Sequence, residues 1–248
     1  MCIICFKDSN IQKPSIETLE ECFYNNPHGA GIAIMKKDHI KIKKGLMSFS
    51  AFLKANEEVK DNDTVAYHFR IATSGGINKG LTHPFPVTNN EKILKATVSY
   101  PKAAFIHNGV IGKGTKNLSD TALYVKDTLS HFNTLLSPKA LKARLTVDTV
   151  GSRTIFMDSE KQNVILTGAW VSEKNGLKFS NTSYKPKFIY SYTPKYYTPK
   201  VNDYNNFHHA FVDCVKCGKA SRLISDFWGL YECTSCHEIT DYDGNEIF

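Results

Sequence analysis

Along the first 184 residues, apolar side chains come in short runs broken by charged residues and by Gly, Pro, Asn or Asp. Short runs bounded in this way are the pattern of strands. They predict strands at about 2–6, 29–36, 39–44, 64–72, 103–107, 153–158 and 163–168. Lys37-Asp38 falls between two of them, where a hairpin turn fits. Helical spacing is rarer. Ile16, Leu19 and Phe23 share one face of a helix that starts at Ser15 and ends before Pro27. A second helix is predicted from Ser119 as N-cap, with Leu123, Val125, Leu129 and Phe132 as its apolar positions. Residues 167–183 suggest a late strand pair. Many strands and few helices, without strict βαβ alternation, predict a layered α+β fold rather than a Rossmann sheet.

The pattern changes near residue 185. Residues 185–210 carry three prolines, four lysines and many tyrosines with no helical period, which predicts an extended linker. Residues 211–248 form a small third segment. A chain of 248 residues, 42% hydrophobic and 22% charged, suits one large globular domain over 1–184 plus this module. No apolar run approaches the roughly 18 residues of a membrane span. No basic region followed by an apolar stretch and a small-residue cleavage site opens the chain, so no secretory signal is expected. The net charge of +7 permits contact with nucleic acid without arguing for it.

Seven cysteines is an odd number, and four of them fall in C-V-K-C at 214–217 and C-T-S-C at 233–236, with fifteen residues between. That spacing points to zinc in a reducing, cytoplasmic setting rather than to a disulfide framework. Each C-x-x-C turn presents two thiolates to one tetrahedral ion, so Cys214, Cys217, Cys233 and Cys236 are the expected ligands. Such a small module has too little core to fold without its metal. The tail resembles a zinc ribbon; a redox dithiol is the rival reading. His208, His209 and His237 are possible ligands, but four thiolates already fill the site. Lys216, Lys219 and Arg222 offset the negative charge of that site, which makes them weak evidence for nucleic acid. The Lys/Tyr linker could stack on a single strand, although a solvated linker is the simpler reading.

Cys2 carries the most chemistry. It follows Met1, and cysteine is small enough for that Met to be removed. The chain would then begin with a thiol and a free α-amine on one residue, a nucleophile with its own base. The amine titrates at about 7.7–8.0, so a useful part of it is neutral at cellular pH. Taken alone, Cys2 reads as the start of the buried strand M-C-I-I-C-F. Three later stretches alter the balance: N-N-P-H-G-A-G-I-A-I at 25–34; H-F-R-I-A-T-S-G-G at 68–76 with L-T-H-P-F at 81–85; and F-I-H-N-G-V-I at 105–111 with L-S-D-T at 118–121. In this order, behind Cys2, they resemble the class II glutamine amidotransferases, which belong to the N-terminal-nucleophile hydrolases. The resemblance covers about residues 2–184 and implies a four-layer αββα fold.

It also implies roles. Cys2 attacks the glutamine side-chain amide, and its amine serves as base and then as acid for departing ammonia. The Asn108 side-chain amide and the Gly109 N–H form the oxyanion hole. Arg70 clamps the α-carboxylate in a planar bidentate pair, with Thr73 adding a hydroxyl. Asp120 receives the α-ammonium. Each residue has a plainer reading. Asn108-Gly109 could be a type I′ hairpin turn, Arg70 a surface ion pair, and Ser119-Asp120 only a helix start. His68, His83 and His107 are expected to be structural hydrogen-bonding groups. G-V-I-G-K-G-T-K at 109–116 nearly matches a phosphate-binding loop, but Thr115 precedes Lys116 and the next helix starts too late. The expectation is therefore a glutaminase or amidotransferase that delivers ammonia to a synthase or other acceptor protein in trans. The competing readings are a free-standing amidohydrolase of another γ-glutamyl amide and a non-catalytic binding scaffold.

Overall fold

The structure, a computed structural model, describes residues 2–72, 76–185, 211–213, 217, 220–225, 230–233 and 235–240. The chain divides into two compact units, residues 1–185 and 186–248. Of the segment read as a linker, all but Lys185 lies outside the described residues.

The first unit is mixed α+β. Its first strands are β1 (Ile3–Lys7), β2 (Ala30–Met35), β3 (Ile40–Leu46), β4 (Thr64–Phe69), β5 (Phe85–Pro86) and β6 (Val98–Ser99). They are followed by β7 (Ala103–Asn108), β8 (Arg153–Asp158), β9 (Asn163–Thr167), β10 (Val171–Ser172) and β11 (Lys178–Phe179). One sheet runs in the order β10-β11-β1-β4-β2-β3-β6 and the other β5-β7-β8-β9, with every pairing antiparallel. The helices are α1 (Ile16–Tyr24), α2 (Phe49–Asn56), α3 (Glu91–Leu94), α4 (Asp120–Tyr124), α5 (Ser130–Phe132) and α6 (Pro138–Asp148). A π turn at Val125–Leu129 joins α4 to α5.

Every predicted long strand is present, its ends shifted by at most three residues. Both predicted helices start where their caps stand. Ser15 accepts the Thr18 N–H and Ser119 accepts the Ala122 N–H. Helices α2, α3 and α6 were not foreseen.

Strand alternation sorts the core into separate faces. Ile3 and Cys5 of β1 cluster with Val65, Tyr67 and Phe69 of β4 and with Leu19, Phe23, Phe49 and Phe52 of α1 and α2. The intervening residues, Ile4 and Phe6 of β1 and Ala66 of β4, cluster instead with Ala104 and Ile106 of β7 and Ile155 and Met157 of β8. This second cluster joins the two sheets face to face. Phe105 and Phe156 point the other way, into a third cluster with Ala122, Val125, Leu129, Leu141 and Leu145.

The second unit is a four-stranded antiparallel sheet in sequence order, β12 (Phe211–Asp213), β13 (Ala220–Ser225), β14 (Leu230–Cys233) and β15 (Ile239–Thr240).

Candidate active site and metal centre

The alternation that builds the core also builds the first site. On β1 the inward series Phe6, Ile4 leads one step further to Cys2. On β4 the series Ala66, His68 leads to Arg70. On β7 the series Ala104, Ile106 leads to Asn108. Continued one step past the clustered positions, the alternation assigns all three side chains to the faces that the sheets turn toward each other. The register brings two of them side by side: Ile3 pairs with Phe69, so Cys2 and Arg70 follow across the β1–β4 ladder.

The contacts agree. The Ile71 N–H donates to Cys2 Sγ at 3.3 Å, and the thiol lies 3.5 Å from the Ile71 carbonyl. Burial raises the Cys2 pKa above the usual thiol value, with the Ile71 N–H and the Arg70 charge pulling the other way. Arg70 is only 5% exposed, which rules out the surface ion pair. One of its guanidinium nitrogens donates to the Gly76 carbonyl at 2.9 Å. Burial lowers its pKa, while interactions with Cys2 and Asp120 raise it. Cys2, Arg70 and Asp120 thus share one electrostatic neighbourhood. Thr73, the other expected substrate contact, lies outside the described residues.

The P-H-G-A-G stretch is the ladder partner of this arginine. Arg70 N–H donates to the Gly29 carbonyl at 2.9 Å, and His28 N–H donates to the Arg70 carbonyl at 2.9 Å. Gly31 is required by close approach, because a Cβ there would collide with the His83 carbonyl.

Asn108 ends β7 and is 5% exposed. The strand beside it is β8, far along the chain, so Asn108-Gly109 is not a hairpin turn. Residues 109–119 instead form a loop to α4 with no strand or helix of their own. A Cβ on Gly109 would collide with the Ser152 hydroxyl. Asp120 is the first residue of α4, and its Oδ2 accepts the Ile111 N–H at 2.9 Å, which ties this loop back to the helix start. Asp120 is thus a helix start, as one reading had it, and also lies in the electrostatic neighbourhood of Arg70.

The three histidines are not alike. His107 Nδ1 lies 2.8 Å from Thr121 Oγ1, as a structural group would. Both ring nitrogens of His68 and of His83, and Nε2 of His107, have no hydrogen-bond partner among the described residues. The His68 and His83 rings stack at 4.3 Å. Burial pushes the His68 pKa down to about 3 and that of His107 to about 4, and His83 is lowered well below the ordinary value by the same cause. The physical reason is position: His68 lies on the inward face of β4 beside His83, His107 and the Arg70 charge, so burial and nearby positive charge both favour its neutral ring.

Two residues given no role in the sequence bear directly on the site. Ser180 Oγ accepts the Ile4 N–H at 2.8 Å and the Asn108 Nδ2–H at 2.8 Å. Asn181 Nδ2 donates to the Cys2 carbonyl at 2.7 Å. Only the late strand pair hinted at them: β11 pairs with β1 and so delivers residues 180 and 181 to its start.

In the second unit, the sulfurs of Cys217, Cys233 and Cys236 lie within 4.8 Å of one another and could hold a metal ion. Cys217 Sγ is 3.4 Å from Cys233 Sγ. Ser235 and Cys236 donate their N–H groups to Cys233 Sγ, each at 3.4 Å. His237 Nδ1 is paired with Glu232 Oε1 at 3.0 Å and is not among the grouped ligands. Cys214, the fourth expected ligand, lies outside the described residues, as do His208 and His209.

Among the described residues no helix is long and apolar enough to cross a membrane. No protein-family model matches the chain, and no curated protein matches it in sequence.

Proposed function

We propose that the first unit is a class II glutamine amidotransferase-like domain that hydrolyses the glutamine side-chain amide. The observation that supports it is that Cys2 adjoins Arg70, with Asp120 in the electrostatic neighbourhood of Arg70 and Asn108 tied through Ser180 to Ile4, two residues from Cys2. The three apolar clusters, one between the sheets and one on the outer side of each, are what a four-layer αββα arrangement would require.

On this reading Met1 is removed and the freed Cys2 amine takes the thiol proton. A raised thiol pKa makes that transfer necessary, since little thiolate forms unaided near neutral pH. The sulfur attacks the amide carbon, and the oxyanion is met by the Asn108 amide and the Gly109 N–H. The amine returns the proton to nitrogen, the C–N bond breaks and ammonia leaves. Water then attacks the thioester, releasing glutamate and restoring the thiol. Arg70 and Asp120 hold the two charged groups of the substrate's amino-acid end. Ammonia passes to an acceptor on a partner protein. The tail is read as a zinc ribbon, with Cys214 completing the set of Cys217, Cys233 and Cys236.

The test is to incubate the purified protein with glutamine and measure glutamate. Release that depends on Cys2 supports the reading. Turnover that survives Cys2→Ala, or none in the wild type with or without partner proteins, would overturn it.

A further inference from the structure

We infer that the dipeptide Ser180-Asn181 is the positioning element of the Cys2 site, holding the nucleophile's main chain and the Asn108 amide in one frame. This rests on the amide-hydrolysis reading above and concerns how that site is aimed. The two sheets share no ladder, so something other than strand pairing must hold Asn108 in register with Cys2. Ser180 takes both main-chain groups of Ile4: its N–H donates to the Ile4 carbonyl at 3.0 Å, and its Oγ accepts the Ile4 N–H at 2.8 Å. The same oxygen accepts the Asn108 amide from the opposite sheet at 2.8 Å. Ser180 is 1% exposed, so water does not compete for these bonds.

The next residue completes the frame. Asn181 donates to the Cys2 carbonyl at 2.7 Å, and its own Oδ1 is locked by the Ser183 N–H at 2.9 Å. The dipeptide therefore touches Cys2, Ile4 and Asn108 at once. An asparagine amide turns about a broad, two-fold torsion when nothing holds it. With one Nδ2–H committed to Ser180, planarity fixes the direction of the other. That is the condition for an oxyanion donor that costs no reorganisation during the reaction. Ser180 and Asn181 touch no reacting atom; they act through Asn108 and Cys2.

The experiment compares kcat and KM for glutamine in Ser180→Ala, Asn108→Ala and the double variant. A misplaced catalytic group costs up to about 10²-fold, so Ser180→Ala should lower kcat by about 10- to 100-fold while KM moves less than about twofold. In the Asn108→Ala background the same change should cost under about twofold, because the clamp has nothing left to aim. A purely structural serine would cost the same in both backgrounds, and its effect would follow the fall in Tm. Asn181→Ala is the second variant: alkylation of Cys2 by a diazoketone analogue of glutamine should slow several-fold with the Tm little changed. Unchanged kcat in Ser180→Ala, or equal losses in the two backgrounds, overturns the inference while wild-type glutamate release leaves the amidohydrolase reading standing. A wild-type protein that neither releases glutamate nor is alkylated at Cys2 removes both.

Discussion

The sulfurs of Cys2 and Cys233 both receive main-chain N–H groups, yet their surroundings drive them in opposite directions. Cys2 accepts one such bond, from Ile71 at 3.3 Å, and burial raises its pKa despite the nearby Arg70. Cys233 is also penalised by burial, but the N–H groups of Cys236 and Ser235 and the neighbouring thiol of Cys217 bring its pKa below the ordinary value. Burial wins at Cys2, whereas at Cys233 the donors and neighbouring thiols win. A thiol kept protonated needs a base before it can act. A sulfur tuned toward thiolate among other sulfurs is ready for a soft cation. The lesson is that cysteine count says little; the balance between burial and the donors and charges around each sulfur sets whether it is held as a thiol or tuned toward thiolate.

The sharpest way to break this contrast is to exchange the losses. Cys2→Ala should abolish glutamate release and keep the metal. Cys233→Ser should lose the metal, about one equivalent by elemental analysis after desalting, and keep the glutaminase rate. Activity that followed Cys233, or metal that followed Cys2, would merge the two sites. Next in size is the oxyanion donor. Asn108→Ala should cost about 10²–10³ in kcat with KM nearly constant, read by initial rates. Arg70→Lys should act on the other parameter, raising KM for glutamine about tenfold or more, because an ammonium cannot reproduce a planar two-point contact. A change in KM alone from Asn108→Ala would mean it binds substrate rather than the transition state.

A last prediction reads stability rather than rate. His68, His83 and His107 are held neutral in the folded protein by burial, two of them near pKa 3 and 4. The unfolded chain takes up protons on these residues below about pH 6.5, so stability is complete above that value and lost as the pH falls toward 4. Each histidine contributes up to about 1.4 kcal/mol per pH unit within that window. Thermal melts of the wild type should therefore drop increasingly between about pH 6.5 and 5, and replacing His68 with an uncharged residue should flatten the curve. A Tm insensitive to pH over that range would show that the rings find proton acceptors after all.

Much of this geometry was legible in local pattern. The runs that predicted β1, β4 and β7 also carry the two-residue period that puts Cys2, Arg70 and Asn108 on the inward faces. Ser15 and Ser119 marked their helices because capping is a local hydrogen bond. Helix α6 was hidden because only Leu141 and Leu145 are buried along it, while Val147 is 71% exposed. Ser180 and Asn181 were hidden for a different reason. They follow a two-residue strand, and the bond from Ile4 to Ser180 spans 176 positions. No window on the sequence reports such a pairing. The unpaired nitrogens of His68 and His83 were unforeseen because local sequence cannot count acceptors across a sheet interface.

The central claim is that Cys2 is a nucleophile toward the glutamine amide, and acid quenching during turnover tests it most directly. The intact mass of wild-type protein quenched with glutamine should show a chain beginning at Cys2 that carries a γ-glutamyl thioester, removable by hydroxylamine. The adduct should map to Cys2 by peptide analysis and be absent from Cys2→Ala. Glutamate release with Met1 retained and no adduct on Cys2, or an adduct on another cysteine, would contradict the account.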